Sequence, residues 1–217
     1  MSITVEGIVG NGRVGLADGS DNELRLGRNG ELVTLQGGPD YWENLIRGAT
    51  FMASTGTAGI APGTALSTSP PFVLYNPPNS GIVVGVLDAE VGFVSGTLGA
   101  GNIVLAQISG QSLTSLGTIL TPSTSNLIGA SVMPQAKALQ APTLSATPTL
   151  MKNLWYTGAF VTNTTQYMGQ AVKEFKGMVG LLPGGAICMQ EVGAAGTTPL
   201  VMFSMSWVEI PMNTFNR

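Results

Sequence analysis

The sequence predicts an all-β protein: an antiparallel β-sandwich, jelly-roll-like, with an extended N-terminal arm. Three observations lead there. Short apolar runs, several of them alternating with period two, are separated by turn formers, with 30 glycines and 13 prolines in 217 residues. No long amphipathic helical pattern interrupts them. The charges are unevenly placed, which sets a boundary near residue 50 between a polar arm (1–50) and an apolar, glycine-rich body (51–217).

The arm holds about half of the charges: Glu6, Arg13, Asp18, Asp21, Glu23, Arg25, Arg28, Glu31, Asp40, Glu43 and Arg47. Within it, Leu24-Arg25-Leu26 and Glu31 to Leu35 flank Gly27-Arg28-Asn29-Gly30. That is a hairpin pattern, because Asn-Gly supplies positive φ at the turn. Pro39 to Arg47 predicts a short helical turn, with Pro early, acids near its start and Arg at its end. The arm has too few apolar residues for a core of its own, so it must lie on its own body or on a neighbour.

The body reads as strands in succession. Phe72-Val73-Leu74-Tyr75 is bracketed by Pro70-Pro71 and Pro77-Pro78. In Ile82 to Val94 the alternation sets Val83, Leu87, Ala89, Val91 and Phe93 inward, with Asp88 and Glu90 outward. A glycine-rich turn, Gly96 to Asn102, leads into Ile103 to Ile108. Further strands are expected over Leu154 to Val161, Phe175 to Leu182 and Ala186 to Glu191, the last two joined by Pro183-Gly184-Gly185. The final strand, Leu200 to Ile210, puts Val201, Phe203, Met205 and Trp207 on one face. Between Gln111 and Thr149 the signal is poor, and long loops with room for one strand are expected.

Composition points to assembly. The chain is 44% hydrophobic and 10% charged, where an average soluble domain is roughly 25% charged. A body of this length buries a core without disulfide or metal staples. Its surface must then be built from Gly, Ser, Thr, Asn and exposed apolar groups, and monomers rarely carry large apolar patches. Much of the surface is therefore expected to face other subunits. A net charge of −3, with no Lys/Arg cluster beside aromatics, argues against nucleic acid. The N-terminal residues lack a signal-peptide pattern, and no apolar run of about 18 residues offers a membrane span. Cys188, the single cysteine, sits in an apolar stretch and reads as a buried small hydrophobe.

Catalytic chemistry is hard to place. With no histidine, neither Ser-His nor Cys-His activation is possible, and with one cysteine tetrahedral zinc has no ligand set. No cofactor, metal or small-molecule substrate is expected. A carboxylate pair could still hydrolyse a glycoside, and Asp88 with Glu90 is the candidate in the body. Those acids read more simply as the solvated side of a half-buried strand, and the three tryptophans are too scattered for a glycan platform. Gly10-Asn11-Gly12-Arg13-Val14-Gly15 fits a dinucleotide fingerprint, but turn chemistry follows where a helix is required. Asp18 to Glu23 is acidic without calcium-loop spacing. Asn163-Thr164-Thr165 is a formal glycosylation sequon without a route to the machinery.

Several segments in order carry a family resemblance. Leu24 to Val33, Tyr41 and Arg47-Gly48 form the first group. Gly63-Thr64-Ala65-Leu66, Pro70-Pro71-Phe72, Leu74 to Pro77 and Ser80-Gly81 form the second. Leu182 to Ala186, Pro199-Leu200-Val201 and Ser206 to Pro211 complete it. Together these resemble small virion proteins of tailed bacteriophages, similar to jelly-roll capsid cement or decoration proteins. The resemblance implies a homotrimer on the phage head that binds the major capsid protein, made in the host cytoplasm and carried on the virion surface. In that role Arg13, Arg25, Arg28 and Arg47 would pair with acidic groups of the coat, and Tyr41 and Trp42 would anchor as aromatics. The arm could also add a strand to a sheet edge. The alternatives are a tail-fibre or receptor-binding tip, and a glycan-processing enzyme using the carboxylate pair. A major coat protein fits less well, since tailed-phage shells mix helices with their sheet.

Overall fold

The computed structural model describes residues 40–108, 113–120, 132–157 and 171–212. The chain divides into two compact units, 1–42 and 43–217. The first is described only at its last three residues. The expected arm hairpin, the Gly10–Gly15 and Asp18–Glu23 motifs and the Asn163 sequon lie outside the described residues. A short helix, α1 (Trp42–Ile46), stands where the Pro39 to Arg47 pattern places one.

The second unit is a two-sheet antiparallel sandwich. Its strands are β1 (Thr50–Ser54), β2 (Phe72–Tyr75), β3 (Ile82–Thr97), β4 (Gly101–Ile108), β5 (Leu113–Ser115), β6 (Thr118–Ile119), β7 (Lys137–Gln140), β8 (Thr143–Leu144), β9 (Thr149–Thr157), β10 (Ala171–Leu181), β11 (Ala186–Gly193) and β12 (Thr197–Pro211). One sheet has the order β1-β12-β3-β10 and the other β6-β7-β2-β11-β4-β9. The pairing is nested: β1 with β12, β2 with β11, β3 with β10 and β4 with β9, all antiparallel. A long hairpin rolled up on itself gives this pattern, and that is the jelly roll.

The stretch from Gln111 to Thr149 departs from expectation. Its described residues carry four short strands rather than loops with one: β7 extends the larger sheet beside β2, and β5 pairs with β8 in a small separate ladder. Its sequence is weak because each piece is only two to four residues long and is fixed by tertiary contact. β9 likewise begins at Thr149, before the expected Leu154.

The main core lies between the sheets, around Phe51, Phe72, Leu74, Ile103, Leu105, Ile187, Met189 and the row Val201, Phe203, Met205, Trp207. That row follows the alternation read from the sequence. The Trp207 ring lies 6.0 Å from that of Phe51. A second apolar cluster covers the far face of the larger sheet, where Val73, Tyr75, Leu139, Leu144 and Cys188 pack with Leu66 and Leu113. Burial on both faces explains why β2 and most of β11 are apolar or buried at every position.

β3 corrects the expected inward set. Val83 and Leu87 are only half-buried, and the core takes Ile82, Val84 and Val86 before switching to Ala89 and Val91. The register steps from Ser206↔Asp88 to Trp207↔Val86, so Leu87 is an extra residue that inverts the alternation. β10 answers with a wider irregularity. Its partner register jumps from Glu174↔Asp88 to Val179↔Val86, with Lys176 (φ 51°) and Gly177 (φ 77°) both left-handed.

Buried polar groups tie the ends of the roll. Asn76, fully buried, donates from Nδ2 to the carbonyls of Ile82 and Leu181, each at 3.0 Å. Glu209 accepts from the Trp207 indole N–H (3.1 Å) and from the backbone N–H groups of Gln135 and Ala136, both at 2.9 Å. Glu191 accepts from the Thr157 hydroxyl at 3.0 Å.

Candidate functional site

Of the six arm residues singled out from the sequence, Arg13, Arg25 and Arg28 lie outside the described residues. Tyr41 is half-buried with a left-handed φ of 64°, Trp42 opens α1 at 43% exposure, and Arg47 is exposed just past its end.

Asp88 and Glu90 occupy the outer face of the four-stranded sheet. Cross-strand register builds two rows there: Met52, Ser206, Asp88 and Glu174, then Ser54, Ser204, Glu90 and Val172. Burial pushes the Asp88 carboxyl up, Ser206 opposes that by hydrogen bonding, and the nearby Glu174 adds to it. The two acids border a shallow depression of about 250 Å³. They leave one strand side by side, two residues apart, whereas glycoside hydrolysis needs carboxyl groups flanking the scissile bond. Among the described residues, no group of three His, Cys, Asp or Glu side chains could hold a metal ion. Cys188 is buried, and burial pushes its thiol up to about 12.

The larger exposed feature is one the sequence reading passed over. β9 and β10 end their respective sheets and run beside each other. Along them Leu150, Tyr156, Val172 and Met178 are 52%, 67%, 57% and 90% exposed. Met151 leads into a cleft of about 360 Å³ whose walls are Val179 to Leu181, Pro183 and the start of β11. Lys152, Lys173 and Lys176 stand on the same two strands, and the Lys152 ammonium lies 5.9 Å from the centre of the Phe175 ring. Two register irregularities, between Ile103 and Val104 and between Leu105 and Ala106 of the partner strand, bulge β9. Such bulges discourage simple strand addition and leave side chains to make the contact. Thr149 to Tyr156 has no clean period-two signal, because both sides of the first half of the strand are open.

No protein-family model matches this chain, and no curated protein matches it. Among solved structures it has distant likenesses. One is to the tripod from the baseplate of bacteriophage Tuc2009, at 11% identity over 95% of this chain and 83% of that one, with a TM-score of 0.28. Another is to a chain of the KBV activated particle at acidic pH, at 9% identity over 94% and 86%, with a TM-score of 0.29. TM-scores this low leave the fold to be described by its own strand pairing.

Proposed function

We propose that this chain is a non-enzymatic virion structural protein, a cement or decoration protein that forms homotrimers on a phage head and bridges major capsid proteins. The observation that carries the reading is the uncovered apolar edge of β9 and β10, on a body whose surface has few charges to keep it solitary. Exposed apolar side chains grouped in this way are expected against another subunit. The order of segments that resembles phage cement proteins supports the same role. In this reading the jelly roll makes the oligomer, and the arm, with Arg13, Arg25, Arg28, Tyr41, Trp42 and Arg47, makes the attachment to the coat.

The test removes residues 1–47 from the chain and measures co-sedimentation with undecorated heads. The body is expected to keep its strand signal in circular dichroism and to lose head binding. Normal binding by the truncated protein would overturn the arm's role. Labelled full-length protein that decorates tails instead of heads would move the assignment to a tail-tip protein.

A further inference from the structure

We propose that the lysine-bearing apolar edge of β9 and β10 docks on the acidic outer face of the four-stranded sheet of a second copy of this chain. The inference rests on the oligomer reading above and assigns the surfaces that make it.

The argument is charge complementarity on two mixed surfaces. The edge presents Leu150 and Met178 with Lys152 and Lys173. The face presents Met52 and Val172, 42% and 57% exposed, with Asp88, Glu90 and Glu174. Each surface therefore joins exposed apolar side chains to charge of one dominant sign. On the face the acids are also poorly placed for an isolated subunit. Glu174 stands directly opposite Asp88 across the β3–β10 ladder, a like-charge pair that costs stability. Lys176 pairs with Glu174 at 3.6 Å, but both side chains are more than 60% exposed, so that contact is weak. Cations arriving from a neighbour relieve the repulsion, and the burial of Met52 and Val172 against Leu150 and Met178 adds an apolar contribution.

The edge and the face are different surfaces of one subunit, so the contact is heterologous and every copy offers both halves. A heterologous contact closes into a ring when its rotation permits, and a trimer is such a ring.

The experiment uses the full-length chain in analytical ultracentrifugation at low and high salt. One variant carries Glu90→Lys with Glu174→Lys, and the other carries Lys152→Glu with Lys173→Glu. Each alone is expected to self-associate at least about tenfold more weakly than wild type, and mixing the two should restore association, since each reversed surface then meets its complement. Wild-type association should weaken in 1 M salt, where screening acts within about 3 Å. Where a reversal does not fold, Glu90→Gln with Glu174→Gln takes its place, and the expected result is loss of the salt dependence. Monomeric wild type at low salt would overturn the oligomer reading and this docking together. Wild-type oligomers that persist in both reversed variants, reversed variants that stay apart when mixed, or an unchanged salt dependence in the neutral variant would overturn the docking alone.

Discussion

Asn76 shows how a single polar side chain can hold this roll closed. It follows β2, and its amide reaches both the carbonyl at the start of β3 and the one at the end of β10. Its own backbone exchanges bonds with Gly184 and Gly185 in the turn before β11. Four strands thus meet at one residue that water does not reach. Replacing it with Ala strands two buried carbonyls, each worth roughly 1–3 kcal/mol when left unsatisfied. The expected loss for Asn76→Ala is about 2–4 kcal/mol, read as a lower midpoint in urea at unchanged slope. A loss below about 0.5 kcal/mol would mean that water replaces the amide and that the hub is not structural.

At the scale of elements, the two glycine-rich turns, before β4 and after β11, depend on backbone approaching backbone. Gly101 and Gly193 are register partners at the ends of their strands. A methyl added to Gly101 would lie 2.6 Å from the Cα of Gly193, and one on Gly193 would lie 2.5 Å from the Cα of Gly101. Neither neighbour is a side chain that could swing aside, so Gly101→Ala should cost about 1–3 kcal/mol, seen as a drop in Tm. That glycine-rich turn was legible in the sequence, and so were β2 between its proline pairs and the inward row of β12. Each of these is a local signal. The inversion at Leu87 was not legible, because a bulge exists only relative to a partner register, here Ser206 and Trp207 more than a hundred residues away. The site was less legible than the fold. Met178 is 90% exposed within the irregular stretch of β10 that holds the left-handed Lys176 and Gly177, and in the sequence it stands inside a run that reads simply as a strand.

For the whole molecule, the telling feature is what burial does to the carboxyl groups. Asp88, Glu191 and Glu209 are each pushed up from the ordinary range of 3.8 to 4.5, in every case chiefly by burial and against the pull of their hydrogen-bond donors. In the interval between the ordinary values and the raised ones, the folded chain holds more protons than the unfolded chain. Stability in that interval therefore falls as pH rises and grows as pH falls. Carboxylates held by ion pairs act in the opposite sense, losing their contribution as acid protonates them. Here the urea midpoint is expected to be higher at about pH 5 than at pH 7, with the gain from these groups complete and level below the ordinary carboxyl range. Equilibrium unfolding at a series of pH values checks this. Glu191→Gln should flatten part of the dependence, since it removes one of the three raised groups while keeping a partner for Thr157. A midpoint that falls steadily from pH 7 to 5 would show that the donors around Glu209 and Asp88 outweigh their burial, and would reverse the sign assigned to both.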